Sequence, residues 1–404
     1  MRQVSVDERM SLGKETFEKL RLNSPPGGWF PALQDLSWTI TESNLLYADL
    51  FFSPHLKTIS IRATYLWHKT GVPLGIIPTL VSKISALPTS SLERISVNAN
   101  HWTMPWAHFK DSLSSIVLRC GPSFTEYDSP VPLSNTALDH LIQLPRLRTW
   151  RIHGPPPDYL ASSLPLVFPP LRELILWKCA VRGWLPLLQR LDGASTTQGV
   201  TPLSRTKESL KILKIKIDNV SGAELNDISR IYINASSIST IRCFRNLVDL
   251  DVQVYCDNRH CIFELNNDSV TELAMALTQL ESLLLGHPCY ENTCLTTVAC
   301  LLPISVHCNK LEKLEIHFNT TNIVDDFKNI LEDPRFQQLR PLPRCPLGRL
   351  DVDRIPLDLD EWDFETVVNG MSDIFPSLTR CEGVKQSWDE LSGKIIANLQ
   401  EYLE

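Results

Sequence analysis

The chain has 404 residues, of which 43% are hydrophobic and 21% are charged, as in globular proteins. A formal net charge of -7 argues against a general nucleic-acid binder, because the phosphate backbone attracts proteins with an excess of lysine and arginine. The sequence contains no run of about 18 apolar residues that could cross a membrane.

The cysteines and the N-terminus bear on the cellular compartment. The N-terminus shows no apolar segment of the kind that marks a secretory signal, and the 11 cysteines are an odd number spread along the chain. We therefore expect reduced thiols and a cytoplasmic or nuclear protein. The N-x-S/T sequons at Asn219, Asn234, Asn267 and Asn319 are then chance matches rather than glycosylation sites.

Residues 1–28 are predicted to form an N-terminal helix and cap. Leu12, Phe17 and Leu20 lie on one side of this helix, and the Ser-Pro-Pro-Gly-Gly segment at 24–28 ends it. The exposed end of a repeat array needs such a cover. The alternative interpretation is that this helix is the tail of a module that precedes it.

Residues 29–380 are organised by one spacing, L-x-x-L-x-L, which is clearest at Leu171, Leu174 and Leu176. Repetition of this spacing is typical of leucine-rich repeats, in which the last two leucines share the inward face of a short strand. A weaker copy begins at Leu378, so we predict 11 to 12 irregular repeats. The other triplets are Leu33/Leu36/Trp38, Leu56/Ile59/Ile61, Leu92/Ile95/Val97, Leu113/Ile116/Leu118, Leu147/Trp150/Ile152, Leu210/Leu213/Ile215, Leu247/Leu250/Val252, Leu280/Leu283/Leu285, Leu311/Leu314/Ile316 and Leu347/Leu350/Val352.

The segments between the triplets are long enough to hold helices. Successive first leucines are 21 to 39 residues apart, and helical spacing appears at Leu138, Leu141 and Ile142 and again at Val270, Leu273 and Ala274. We therefore predict an α/β leucine-rich-repeat solenoid, a horseshoe with a parallel β-sheet on its concave face and helices on its convex face. Residues 381–404 are predicted to form a C-terminal capping helix.

The candidate binding residues follow from strand alternation. The third, fifth and seventh residues of each L-x-x-L-x-L-x strand, called outward positions below, should face the concave surface. Their charges predict a surface that is basic towards the N-terminus and acidic towards the C-terminus, which would orient a charged partner, with Trp177 as an anchor. The candidates are Arg62, Arg94, Arg119, Arg151, His153, Trp177, Lys214, Lys216, Asp251, Glu315, His317, Asp351 and Asp353.

Motifs that carry chemistry are missing from the sequence. It has no phosphate-binding loop, dinucleotide fingerprint, nucleophile elbow or zinc-protease helix motif, so we predict no catalytic residue, no cofactor and no metal site. Cys256, His260 and Cys261 raise the alternative of a zinc site, but their C-x4-C spacing is at the edge of the zinc range and favours small buried thiols.

Several segments resemble the leucine-rich region of F-box proteins from mushroom-forming fungi, a basidiomycete-type family. They are FPALQDLSW, LFFSPHLKTISI, LDHLIQLPRLRTW, FPPLRELIL and LTQLESLLLG, and the resemblance covers roughly 29–380. It implies repeats that hold a protein substrate and an upstream F-box that docks on the adaptor of a cullin-type ubiquitin ligase. The L-P-x-E-[IL] opening of an F-box is not visible in this sequence, so we expect a lost F-box, a fragment or a mis-called gene model.

Two functions remain open from the sequence. The first is a non-catalytic protein-recognition module, the substrate-binding region of an F-box-type ubiquitin-ligase receptor. The alternative is a structural or regulatory leucine-rich-repeat scaffold with no ubiquitin-ligase role. In both, the partner is a protein on the concave face, with a cullin-ligase adaptor added if an F-box is supplied upstream, and neither nucleic acid nor membrane is expected.

Overall fold

A computed structural model gives the structure of most of the chain. It describes residues 3–6, 14–25, 29–40, 47, 50–63, 91–99, 107–131, 133–153, 169–177, 181–192, 205–218, 231–255, 261–286, 295–339, 345–352, 361–382 and 391–397. The chain divides into two compact units. The first is Met1–Leu174 with Val200–Thr206, and the second is Ile175–Gly199 with Lys207–Glu404.

Strands of the predicted parallel sheet are present, and they hydrogen-bond in their order along the chain. Thirteen of the fifteen strands in the described residues belong to this sheet, while β9 and β11 form a separate parallel pair. The strands are β1 (Gln3–Val6), β2 (Asp35–Ile40), β3 (Thr58–Ala63), β4 (Arg94–Ala99), β5 (Glu126–Ser129), β6 (Thr149–His153), β7 (Glu173–Trp177), β8 (Ile212–Asp218), β9 (Ile231–Ile233), β10 (Asp249–Tyr255), β11 (Cys261–Phe263), β12 (Ser282–Gly286), β13 (Lys313–Ile316), β14 (Arg349–Asp351) and β15 (Arg380–Glu382).

Ten of the eleven predicted triplets lie on these strands or directly beside them. In β7, β8 and β14 all three aliphatic side chains are fully buried, as with Leu171, Leu174 and Leu176. The weaker copy at Leu378 also enters a strand, where Cys381 occupies the inward position. Packing of aliphatic residues from successive strands gives each repeat a core that it could not form alone.

One predicted triplet is wrong, namely Leu113/Ile116/Leu118. These residues lie in and just after a helix, Ala107–Val117. A strand would bury residue 118 and expose residue 117, but Val117 is 0% exposed and Leu118 is 43% exposed, which is the helical pattern. The strand of this repeat is β5, which follows Phe124 within the segment 121–132.

A repeated backbone hydrogen bond identifies Phe124 as the true start of that repeat. At the entry to most strands, one carbonyl accepts from two successive amides of the next repeat, as Lys57 O does from the amides of Glu93 and Arg94. Glu93 O accepts in the same way from Thr125 and Glu126. The repeat therefore passes through an aromatic residue, Phe124, where the sequence pattern expects leucine.

Helices occupy many of the segments between strands, as predicted. Side-chain caps fix the starts of three helices: Ser134, Asn234 and Asn266 accept hydrogen bonds from amides of the first turn. The helices are α1 (Lys14–Leu22), α2 (Ala107–Val117), α3 (Asn135–Gln143), α4 (Val181–Asp192), α5 (Arg205–Ser209), α6 (Ala235–Ile241), α7 (Asn267–Ala276), α8 (Leu301–His307), α9 (Ile323–Glu332), α10 (Pro334–Leu339), α11 (Glu361–Ile374) and α12 (391–397).

The N-terminal segment contains a strand as well as the expected helix. Strand β1 pairs in parallel with β2, so the sheet begins before α1. Phe17 of α1 is buried and stacks on Tyr47 with ring centroids 5.2 Å apart, and it also contacts Trp38 of β2. Helix α1 therefore packs on the first repeats through aromatic contacts.

Candidate functional site

The outward face of the sheet carries the side chains that alternate with the buried residues of the core. Side chains alternate between the inward and outward sides of the strands, and in β5 and β13 every second side chain is buried while its neighbours are half-buried. The aliphatic residues of the repeats fill the inward side. Polar and charged side chains therefore line the other side.

Most of the predicted binding residues lie at outward positions of strands. The backbone of His153 is described but its side chain is not, and Asp353 lies outside the described residues. His317 directly follows β13 and is half-buried. The residues found on strands are Arg62, Arg94, Arg151, Trp177, Lys214, Lys216, Asp251, Glu315 and Asp351.

Arg119 is a wrong prediction. It follows α2 in a turn, where its side chain donates to the carbonyl of Ser115, and it is not part of the sheet. The outward positions of that repeat belong instead to Glu126 and Asp128 of β5. Sequence reasoning missed both carboxylates, although the signal Phe124-x-x-Tyr127-x-Ser129 carries the repeat spacing with different residue types.

In the first unit, the outward face is organised around Arg151 of β6. Its guanidinium contacts Glu173 at 2.9 Å, Asp128 at 3.2 Å and Glu126 at 3.9 Å. Burial lowers the pKa of Arg151, but the hydrogen bond and charge of Glu173, with the charge of Asp128, outweigh it and raise the pKa overall. Arg151 is thus held by carboxylates from the strands on both sides.

The hydroxyl side chains of the first unit form a row across four strands. Ser5, Ser37, Ser60 and Ser96 are register partners in β1 to β4, and the row continues with Asp128 of β5. Ser96 Oγ donates to Asp128 Oδ2 at 3.3 Å. The face of this unit is therefore polar and carries short side chains at its centre.

In the second unit, an outward cluster joins Trp177, Lys214, Lys216, Asp249 and Asp251. Lys214 Nζ lies 2.6 Å from Asp249 Oδ2, and Lys216 Nζ lies 3.7 Å from Asp251 Oδ2. Lys216 also sits over the ring of Trp177, 5.7 Å from its centroid. Trp177 is 36% exposed, so this cluster offers an aromatic surface next to paired charges.

The predicted separation of charge along the sheet is wrong. In the first unit, Arg94 and Arg151 lie beside the carboxylates of β5 and β7. In the second unit, Lys313, Arg349 and Arg380 are register partners in one row, and Glu315, Asp351 and Glu382 are register partners in the next. Both signs of charge are therefore present in each unit: opposite charges meet across strands around Arg151 and Lys214, and they alternate along β13, β14 and β15.

Burial keeps three thiols of the described residues in the protonated form. Burial raises the pKa of Cys120, Cys308 and Cys381 to about 12, so these thiols stay protonated near neutral pH. Within the described ranges, no group of three or more histidine, cysteine and carboxylate side chains could hold a metal ion. Cys256 and His260, from the alternative zinc site, lie outside those ranges.

Parallel strands in chain order, most of them with the aliphatic residues of L-x-x-L-x-L on the inward side, define the leucine-rich-repeat fold. No protein-family model and no curated protein matches the sequence. One similar solved chain comes from a crystal structure of a TLR13–ssRNA13 complex, with 13% sequence identity and a TM-score of 0.36. The likeness covers 90% of this chain and 51% of that chain, so this chain spans about half the length of that neighbour. In the described residues, no helix has the length and apolar character needed to cross a membrane.

Proposed function

We propose that this chain is a non-catalytic recognition module that holds a protein partner on the outward face of its parallel sheet. The observation that carries this proposal is the chemistry of that face. It presents ordered charges of both signs and an exposed tryptophan, whereas the inward side is filled by the repeat core. Protein surfaces carry both signs of charge, so charges on this face can pair with opposite charges on a protein partner and fix the position in which it binds.

The proposal predicts that cross-links to a partner form from the sheet face and not from the helices. A photo-reactive benzoylphenylalanine at Arg62 or Asn98, both exposed on strands, should give the same discrete cross-linked protein in a cell extract. The matched controls are Lys328 on α9 and Met275 on α7, which are exposed on helices. Cross-links that arise only at the helix positions would contradict the proposal. A cross-link from the sheet positions to nucleic acid would also contradict it, because the partner would then be RNA or DNA rather than a protein.

A finer proposal gives the module a place in a ubiquitin ligase. It rests on the resemblance to fungal F-box proteins, in which the repeats hold the substrate and an F-box binds the cullin adaptor. Co-purification of the full-length product of the gene with the adaptor supports the receptor role. A product that binds its partner but not the adaptor supports the regulatory scaffold instead.

A further inference from the structure

A buried carboxylate lies on the outward face of the second unit. Asp251 is at an outward position of β10, between the inward residues Leu250 and Val252, yet its side chain is only 6% exposed. Its Oδ1 atom accepts no hydrogen bond from the residues that the structure describes. A buried carboxylate oxygen without a donor is costly, and a donor supplied by a ligand would remove that cost.

The neighbouring lysine satisfies Asp251 poorly. Lys216 Nζ is 3.7 Å from Asp251 Oδ2, which is longer than a hydrogen bond, while Lys214 is at 2.6 Å from Asp249. The Lys216 side chain is 29% exposed, more than that of Asp251, and its Nζ lies 5.7 Å from the centroid of the Trp177 ring. The ammonium group of Lys216 thus lies near both the carboxylate of Asp251 and the face of the Trp177 ring.

A second acceptor lies close by on the same strand. Asp249 is two residues before Asp251 and shares its face, and its Oδ1 atom is also buried without a hydrogen bond from the described residues. Two acceptor atoms on one face call for a ligand with several donors in a fixed arrangement. An ammonium group offers a compact charge, whereas a guanidinium offers five donors in a planar fork.

We propose that this surface binds an arginine side chain of the protein partner, which displaces the tip of Lys216. The guanidinium edge donates to Asp251 and Asp249, and its face stacks on Trp177. The guanidinium takes the place of the ammonium beside the carboxylates, so a poorly placed ammonium gives way to several directed hydrogen bonds. This inference rests on the proposed function, because the arginine belongs to a partner on the sheet face.

The test uses a capped Gly-Arg-Gly peptide and the full chain labelled with 5-fluorotryptophan. The fluorine resonance of Trp177, assigned with the variant Trp177→Phe, should shift as the arginine peptide is added. Capped Gly-Lys-Gly should need a concentration higher by about fivefold or more, and the uncharged citrulline peptide should give no shift. Equal shifts with the lysine and arginine peptides would overturn the proposal.

Two variants separate this site from general attraction to an acidic protein. Asp251→Asn should weaken arginine-peptide binding by about tenfold. Lys216→Ala should strengthen it by about threefold or more, because the competing ammonium is removed, whereas Lys211→Ala, an exposed lysine just before β8, makes the same charge change and should have little effect. Equal gains in affinity from both lysine variants would contradict displacement of Lys216.

Partner cross-linking from Arg62 with no arginine-peptide binding would refute this inference and leave the proposed function standing.

Discussion

The ionisation of Asp251 shows how one residue on the outward face affects stability. Burial raises its pKa, while the charges of Lys216 and Lys214 lower it and that of Asp249 raises it. The neighbours in strand β12, Ser282 and Leu284, carry no charge. Because the pKa is raised overall, the native state holds this proton at pH values where the unfolded chain has lost it. The contribution of Asp251 to stability therefore falls as pH rises through that window.

Asp251→Asn should raise the melting temperature at pH 7, because the amide removes the cost of burying a charge. The difference from the wild type should shrink as pH is lowered below the raised pKa, where Asp251 becomes neutral in both states. Calorimetric scans of both proteins between pH 4 and 7 measure this. A lower melting temperature for the variant at pH 7 would mean that the lysine contacts outweigh burial.

At the residue scale, the sequence predicted which positions face outward but not which of them meet. The contact between Arg151 and Glu173 follows from two neighbouring repeats that were both recognised. The contacts of Arg151 with Asp128 and Glu126 could not be predicted, because the repeat of β5 was placed on a helix. One misplaced repeat therefore replaced two carboxylates with an arginine and reversed the charge expected at that point.

A close contact between two helices sets a limit on their spacing. Gly370 of α11 lies against Phe327 of α9, and a Cβ atom added to Gly370 would overlap the phenylalanine ring. The ring belongs to a fully buried side chain, so it has no room to move away. Glycine is required here by space rather than by backbone conformation.

Gly370→Ala should destabilise the protein by roughly 1–3 kcal/mol, because the added methyl group overpacks the contact between α9 and α11. The matched control is Gly393→Ala in α12, where an added Cβ has nothing within 4 Å. The control should be neutral or stabilising by about 0.5–1 kcal/mol, since alanine favours a helix. Urea unfolding measures both, and Phe327→Leu should restore part of the loss in Gly370→Ala. Equal effects at the two glycines would contradict the packing argument.

At the element scale, periodicity separated strands from helices except where the two patterns coincide. Leu113, Ile116 and Leu118 fit the repeat spacing, but Leu113, Ile116 and Val117 fit a helix equally well. The structure favours the helix because Val117 and Cys120 complete its buried side.

The asparagines of two sequons, Asn234 and Asn319, have a structural role that the sequence pattern did not predict. Each asparagine side chain accepts a hydrogen bond from the backbone amide two residues later, and Asn234 caps a helix.

At the scale of the whole chain, strand order was predictable because each repeat is completed by the next one along the sequence. The inward triplets specify that order through their spacing alone. The distribution of charge on the outward face was not predictable, because it depends on which residues become neighbours across strands. Lys214 reaches Asp249, for example, although its register partner is Asp251.

The central claim is that inward residues hold the repeats together while outward residues are available to a partner. The most direct measurement is urea unfolding of variants that introduce asparagine at neighbouring inward and outward positions of two strands. Ile59→Asn and Ile95→Asn, at buried inward positions, should each cost roughly 3 kcal/mol. Ser60→Asn and Ser96→Asn, at outward positions, should stay within about 0.5 kcal/mol of the wild type. Equal costs at inward and outward positions, or larger costs at the serines, would contradict the account.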